Sequence, residues 1–149
     1  MAKMGGSASA EIEAPLEEVW AVVEDVVTAP DWQGGLVSVT PIESDDQGRP
    51  TLVESENDIK VRTVKTRVRF AYDGPTTLSW KQEKGDLKSV EGSWTLEDLG
   101  GGRTKATYTL DADPGRVLGM VIRGPVESAV RSMLVNARPG ELKERVEGA

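Results

Sequence analysis

Tyr72 and Tyr108 are the two side chains of this sequence best placed to do acid chemistry. Each falls in the inward-facing half of an alternating strand pattern, where a phenol can donate a proton to a substrate. The 149-residue chain has no histidine and no cysteine, so it lacks the usual general base near neutral pH and the thiolate nucleophile. Most hydrolase triads and all Cys-ligated metal sites are therefore excluded, and we expect neither a metal nor a cofactor.

Phe70, Trp80 and Trp94 share the inward phase with the two tyrosines and suit the wall of an apolar pocket. Tryptophan and tyrosine rings combine a large apolar surface with one polar atom that can orient a ligand. Large apolar residues also pack in ordinary cores, so a plain core role stays open for each ring. Thr66 and Gln82 are polar residues in the same inward rows, and a ligand, a backbone group or a water must satisfy their hydrogen bonds.

Trp32 lies in a short segment, 28–36, that a proline and a glycine pair mark as irregular. An aromatic residue there can be a hydrophobic plug that anchors the segment, or it can carry function, as loop residues often do. Val130 and Met133, from the C-terminal helix predicted below, complete the candidates. The predicted ligand-binding residues are therefore Trp32, Thr66, Phe70, Tyr72, Trp80, Gln82, Trp94, Tyr108, Val130 and Met133.

The basic residues near these positions are expected on the surface. Lys65, Arg67 and Arg69 alternate with the inward residues of their strand. Arg131 and Arg138 fall off the apolar face of the predicted C-terminal helix. The inward positions then hold no carboxylate, lysine or arginine, so a cyclase or aldol-type enzyme would have only the tyrosines as acids.

A sheet and a covering helix are needed to bring these side chains together. Alternation with a period of two predicts strands, and it is clearest over 62–73, where one face is apolar and the other polar. Turn residues separate the strands and make hairpins of most neighbours. Strands are predicted over 7–13, 36–43, 51–60, 62–73, 77–83, 90–96 and 104–111, with a helix over 16–25 and a single-turn helical link over 28–36.

From Pro114 onward the apolar spacing becomes helical, first in a short piece and then in a longer helix that begins at Pro125. Pro139 lies inside this longer helix, where it removes one backbone hydrogen bond. We therefore predict a kink or a break over 137–140. The inward face is predicted to contain Val126, Ala129, Val130, Met133, Leu134 and Ala137, continued by Leu142 and Val146.

Composition limits the class of protein and its partners. Apolar residues make up 38% of the chain and charged residues 29%, which is typical of a soluble globular protein, and the length fits one domain over 1–149. The formal net charge is -7 without any basic run, so we expect no nucleic-acid partner. No apolar stretch reaches membrane-spanning length and no secretory signal begins the chain, so we expect no stable membrane insertion and a cytoplasmic location.

The predicted order is a strand, two short helices, six antiparallel strands and a long amphipathic helix. Such an order indicates an α+β meander and excludes a doubly wound sheet. The C-terminal helix is the element long enough to cover one face of the sheet. A helix laid across a strongly curved sheet leaves space at its ends, so the topology itself predicts a cavity.

The sequence resembles the START-like (SRPBCC) superfamily in its polyketide cyclase/dehydrase and lipid-transport branch. The resemblance lies in the opening IEAPLEEVWAVVEDVVTAPDWQGGLVSV, with Trp20 and Trp32, and in the ending ATYTLDADPG followed by LKERVE. It implies a helix-grip fold, in which a curved antiparallel sheet of about seven strands wraps around a long C-terminal helix. It also implies a hydrophobic tunnel between sheet and helix, with Trp32 at one rim of the tunnel mouth, where it can act as a gate. Pro139 departs from the uninterrupted final helix of the family.

Family membership leaves the activity open, because members bind lipids, sterols, polyketides, hormones or quinones, and some catalyse cyclisation. The first hypothesis is a non-enzymatic protein that binds or transports a small hydrophobic ligand. The second is a polyketide cyclase or dehydratase that uses Tyr72 or Tyr108 as its acid. The third is a protein-interaction module with a closed core, for which an exposed apolar or basic patch would be needed.

Overall fold

Seven strands pair into one antiparallel sheet in the computed structural model, which describes residues 4–148. Neighbours in the sheet follow the order β1-β7-β6-β5-β4-β3-β2, so β2 to β7 form a meander and β1 extends its β7 edge. The strand bounds are β1 Met4–Ile12, β2 Leu36–Ser44, β3 Pro50–Asp58, β4 Thr63–Asp73, β5 Thr77–Gly85, β6 Ser89–Gly100 and β7 Arg103–Asp113.

Strand β4 shows how the sequence pattern becomes a two-faced sheet. Val64, Thr66 and Val68 are buried, whereas the residues between them are exposed. Successive side chains of a strand point to opposite faces, so an alternating sequence buries one row and hydrates the other. On the outer face Lys65 pairs with a carboxylate of β3 at 3.6 Å, and Arg67 does the same. The predicted surface position of both residues is confirmed.

Two short helices follow β1, as predicted. Helix α1 spans Leu16–Glu24 and a 3₁₀ helix spans Val26–Asp31. Pro15 caps the first of them in an extended conformation, and two glutamates stand in its first turn, where the helix dipole favours negative charge. Helix α1 buries Val19, Trp20 and Val23 against the core.

The C-terminal part of the chain is helical but interrupted. Helix α2 spans Gly115–Gly119, α3 spans Pro125–Arg131, a π-helical turn spans Ser132–Asn136, and α4 spans Arg138–Glu147. A break was predicted over 137–140, and the observed interruption is the π turn directly before those residues. Pro139 has no N–H, and its ring would clash with the carbonyl four residues earlier in a regular α-helix. The π turn relieves this conflict, since the Ala137 N–H donates to the Ser132 carbonyl at 2.9 Å.

The π turn corrects the predicted inward face of this helix. It accommodates one extra residue, so every later side chain is set back by about 100° around the axis. Ala137, expected inside, is exposed, and Arg138, expected on the surface, is buried. Val135, within the turn, is buried; Ala129 was also expected inside and is exposed, but it precedes the turn, which therefore does not explain its exposure. Val130, Leu134 and Leu142 lie in the core as predicted.

The α+β helix-grip arrangement is confirmed: a curved antiparallel sheet packs one face against the helices. Helix α4 packs mainly on β1 and also contacts α1 and β7. The helices described between residues 4 and 148 include none long and apolar enough to cross a membrane. The same residues contain no cluster of three or more acidic groups suited to a metal ion.

Candidate functional site

A cavity of about 130 Å³ lies in the core between the inner face of the sheet and the helical segments. Its volume is close to that of an engineered cavity of about 150 Å³ that binds benzene, so it suits a compact ring rather than an extended chain. Aliphatic side chains form most of the wall. They include Val53, Val64, Val68, Leu78 and Leu110 from the sheet, Val26 and Leu134 from the helical segments, and Ile122 from the link between α2 and α3.

Four aromatic rings form one continuous row in this wall. The ring of Phe70 lies 5.8 Å from that of Trp80, which lies 5.6 Å from Tyr108, and Tyr108 lies 4.8 Å from Trp94 in an edge-on arrangement. The first two pairs are tilted and the third is edge-on, and their separations lie in the range of favourable aromatic contacts. The row therefore presents a large and rigid apolar surface to the cavity.

Gly92 allows this row to cross the sheet. It stands opposite Trp80 on the neighbouring strand β6, and a Cβ atom on Gly92 would overlap the indole ring. Without that side chain, the indole can extend across β6 and reach Tyr108 on β7. A residue with no side chain thus positions the largest ring of the wall.

Ser55, Asn57 and Thr66 form a polar region of the same wall. The Ser55 and Thr66 hydroxyl groups hydrogen-bond across strands β3 and β4 at 2.9 Å. The Asn57 amide approaches the Ser55 hydroxyl at 3.5 Å. The sequence analysis required a hydrogen-bond partner for the buried Thr66 hydroxyl, and Ser55 is that partner.

Arg138 is the charged residue that the structure adds to the cavity wall. Its side chain is 2% exposed, and its Nη1 atom donates to the Gly34 carbonyl at 2.9 Å and to Glu141 at 2.8 Å. The other oxygen of Glu141 accepts from the Gly34 N–H at 2.8 Å. Three residues therefore form a closed network that ties the start of α4 to the segment before β2.

Tyr108 is fully buried beside this guanidinium, whose central carbon lies 5.7 Å from the ring centroid. Burial raises the pKa of the Tyr108 phenol because the phenolate would lose its hydration, and the charge of Arg138 acts in the opposite direction. At neutral pH the phenol is protonated. It can serve as a hydrogen-bond or proton donor and not as a base.

Tyr72, predicted to lie in the site, is outside the cavity wall. Its hydroxyl donates to the Pro50 carbonyl at 2.5 Å, and the Arg49 guanidinium covers its ring at 4.5 Å. Burial raises the pKa of Tyr72 to about 12, although the charge of Arg49 lowers it. The alternation of β4 places Tyr72 on the inner face of the sheet, as predicted. Tyr72 lies near the end of the strand, however, where α1 and the β2–β3 turn cover that face.

The other predicted site residues divide between the wall and its surroundings. Thr66, Phe70, Trp80, Trp94 and Tyr108 line the cavity. Trp32 packs behind Trp94 at 6.3 Å, with its ring N–H buried and unpartnered among residues 4–148. Gln82 is not in the cavity wall, and its amide donates to the carbonyl of the wall residue Leu87 at 2.9 Å. Val130 belongs to the closed core, and Met133 packs near Gly35.

Arg138 is the charged cavity residue that sequence reasoning missed, and the polar wall residues Ser55 and Asn57 were missed as well. A regular helical phase places Arg138 outside, and the correct phase depends on a π turn that no apolar pattern reveals. Pro139 was the available signal, because a proline inside a helix indicates that the phase before it cannot be extended beyond it. The interior therefore holds an arginine, contrary to the sequence-based expectation.

Comparisons with known proteins agree with this architecture. The family model described as polyketide cyclase/dehydrase and lipid transport matches residues 12–137. A search of curated proteins finds no match.

Several solved structures share the fold. A START superfamily protein from Mycobacterium smegmatis superposes with a TM-score of 0.81 at 19% identity, covering 97% of each chain. The Zhui aromatase/cyclase of a Streptomyces species gives 0.80 at 17% identity, covering 98% of this chain and 94% of that one. A protein from Geobacillus kaustophilus gives 0.76 at 18% identity, covering 97% and 96%. At such low identity these matches establish the fold alone.

Proposed function

The chain belongs to the polyketide cyclase/dehydrase and lipid transport family, and from this premise we propose that it binds or carries a small hydrophobic ligand in the core cavity. The observation that carries the proposal is the aromatic row of Phe70, Trp80, Tyr108 and Trp94 along one wall. Aligned rings facing open space bind a planar apolar molecule through dispersion and desolvation. We propose that the protein acts in this way as one domain in the cytoplasm, without a cofactor.

Size and composition of the cavity favour a compact aromatic ligand over a long acyl chain. A cavity of about 130 Å³ fits one ring with a short substituent. Aliphatic residues on the helical wall, such as Val26 and Leu134, supply apolar contacts to its second face. The ligand contacts assigned to Trp32, Tyr72, Gln82, Val130 and Met133 would require the cavity to widen, so we place the primary contacts on the lining residues.

A polyketide cyclase or dehydratase is the second candidate, and one observation favours it. Tyr108 lies in the cavity as a protonated phenol beside the Arg138 guanidinium. A phenol donor next to a fixed positive charge can stabilise the oxyanion of an enolising ketone. Tyr72 lies outside the cavity, so this candidate rests on Tyr108.

An interaction module with a closed core is the third candidate. The open space in the core counts against this candidate. The exposed apolar side chains of Val117, Met120 and Val121, in and after α2, supply the kind of patch that it needs.

Binding is tested by native mass spectrometry of detergent-free protein and by titration with α-methylstyrene, a one-ring hydrocarbon, followed by calorimetry. We expect saturable binding of one molecule. Ala112→Leu fills the cavity from β7 and should abolish binding. Ala71→Leu makes the same change at an exposed position of β4 and should leave binding unchanged. Equal binding by both variants, or none by the wild type, would show that the cavity is not the binding site.

The cyclase candidate is tested with a poly-β-ketone that cyclises spontaneously. Tyr108→Phe should abolish any acceleration while preserving binding, and Tyr72→Phe is the matched control. Unchanged acceleration in Tyr108→Phe would exclude Tyr108 as the acid.

A further inference from the structure

The Arg138 guanidinium has an unused donor. Its Nη1 atom donates to the Gly34 carbonyl and to Glu141, whereas its Nε atom is buried without a partner among residues 4–148. A buried N–H donor without an acceptor is unfavourable, and such exceptions are uncommon in folded proteins. Because Arg138 lines the cavity, the donor belongs to a residue that a ligand would contact.

The guanidinium is fixed before any ligand arrives. Gly34 and Glu141 hold it from one side, and Glu141 is itself held by the Gly34 N–H at 2.8 Å. A Cβ atom on Gly34 would come within 2.8 Å of the Glu141 carboxylate, so a side chain at this position would displace the carboxylate from the network. A donor held in place loses little conformational entropy when it binds an acceptor, which raises its contribution to affinity.

Charge decides which kind of acceptor suits this position. Glu141 lies 2.8 Å from the guanidinium and neutralises its charge. The residues of the cavity wall include no other ionisable group apart from the Tyr108 phenol. An incoming carboxylate would lose its hydration and would lie near the Glu141 carboxylate, so its burial would be unfavourable. A neutral oxygen avoids both penalties and still satisfies the donor.

We propose that Arg138 anchors the ligand by donating a hydrogen bond from Nε to a neutral carbonyl oxygen, so that the cavity selects compact aromatic ketones over hydrocarbons and carboxylates of the same shape. This inference rests on the proposed binding function. It assigns polarity and direction to the ligand: the ring lies along the aromatic row, and the carbonyl points toward the start of α4. Arg138 is then a specificity-determining residue and not a catalytic one.

Three probes of matched shape test the proposal by calorimetry. Acetophenone carries the carbonyl, α-methylstyrene replaces its oxygen with a CH₂ group, and benzoate carries a negative charge. We expect acetophenone to bind about tenfold more tightly than α-methylstyrene, because one hydrogen bond from a charged donor contributes about that much affinity. Benzoate should bind more weakly than either. Equal affinity for acetophenone and α-methylstyrene would overturn the proposal, and tight benzoate binding would overturn the preference for a neutral oxygen.

Arg138→Met removes the donor and keeps an unbranched apolar side chain. In Arg138→Met, acetophenone and α-methylstyrene should bind with about equal affinity. Arg145→Met, on the exposed face of α4, should keep the preference for acetophenone. A preference that survives Arg138→Met would exclude Arg138 as the anchor. The ratio of two affinities is independent of the fraction of folded protein.

Nuclear magnetic resonance gives a second readout in the wild type, which needs no destabilised variant. Acetophenone should shift the Nε–H resonance of Arg138, and α-methylstyrene should leave it nearly unchanged. Equal shifts with both probes would contradict a hydrogen bond at Nε. Failure of the anchor is distinguishable from failure of the binding function, because α-methylstyrene binds in the first case and none of the three probes binds in the second.

Discussion

The meander β4 to β7 and the C-terminal helical segment form opposite walls of the same cavity, yet they relate to the sequence differently. In the meander, inward residues such as Trp80, Trp94 and Tyr108 are those that alternation selects. In the helical segment, the inward positions change at the π turn, and Arg138 takes the place expected for Ala137. The direction of a strand side chain is set by its own backbone, whereas a break in a helix resets the direction of all later residues.

This difference separates the roles of the two walls. The strand wall supplies a regular aromatic surface, and the helical wall supplies the one fixed positive charge. A regular helix would have left the cavity without an arginine. The local irregularity that Pro139 imposes therefore makes the site polar at one end.

The largest expected effect is on the strand wall. Trp94→Ala should lower the free energy of unfolding by about 3–5 kcal/mol, because a large ring 2% exposed is removed and leaves a void beside Trp32 and Tyr108. Denaturant unfolding followed by circular dichroism measures this. The exposed neighbour Thr95 is the control, and Thr95→Ala should change stability by less than about 0.5 kcal/mol. Similar losses in the two variants would break the rule that strand phase determines burial here.

The second effect is on the helical wall and tests the phase set by the π turn. Arg138→Met should cost about 1–3 kcal/mol, because the Gly34 carbonyl loses its donor and the Glu141 carboxylate loses its partner. Arg145→Met, seven residues later on the exposed face, should change the free energy of unfolding by less than about 0.5 kcal/mol. The same denaturant experiment measures both variants. If Arg138→Met were as neutral as Arg145→Met, a continuous helix with Arg138 outside would describe the protein better.

The smallest effect compares the two tyrosines by phenolate absorbance during a pH titration. Both pKa values are raised by burial, that of Tyr72 to about 12, so the folded protein should form almost no phenolate near pH 10, where unfolded tyrosine titrates. Tyr72→Phe isolates Tyr108, and Tyr108→Phe isolates Tyr72. Phenolate formation near pH 10 in either variant would show that the remaining tyrosine is exposed to water.

The same shifts predict the sign of a stability change. The folded state favours the neutral phenol, so stability is independent of these groups below about pH 10. It falls as pH rises further, because the unfolded chain then releases protons that the folded chain retains. For Tyr72 the fall extends to about pH 12. Relative to the wild type, Tyr72→Phe should lose less stability over this range.

Much of the site could be predicted because it lies on strands. Thr66, Phe70 and Trp80 reached the cavity as alternation required. The prediction that Tyr72 contacts the ligand could not be tested by alternation alone, because alternation does not show what covers each part of the inner face. Near the end of β4, that face is covered by Arg49 and by Pro50 of the neighbouring strand. Alternation likewise does not show that the Gln82 amide donates to the Leu87 carbonyl and not to a ligand.

The sequence by itself determined the α+β order, the seven strands, the two short helices after β1 and the presence of a break near Pro139. These features depend on local chemistry: side-chain alternation, turn residues and the missing N–H of proline. Tertiary structure decided where the break was placed and therefore that Arg138 faces the cavity. A helix can absorb a proline at several neighbouring positions at similar local cost, and contacts between segments distant in sequence, such as Arg138 with Gly34, select one of them.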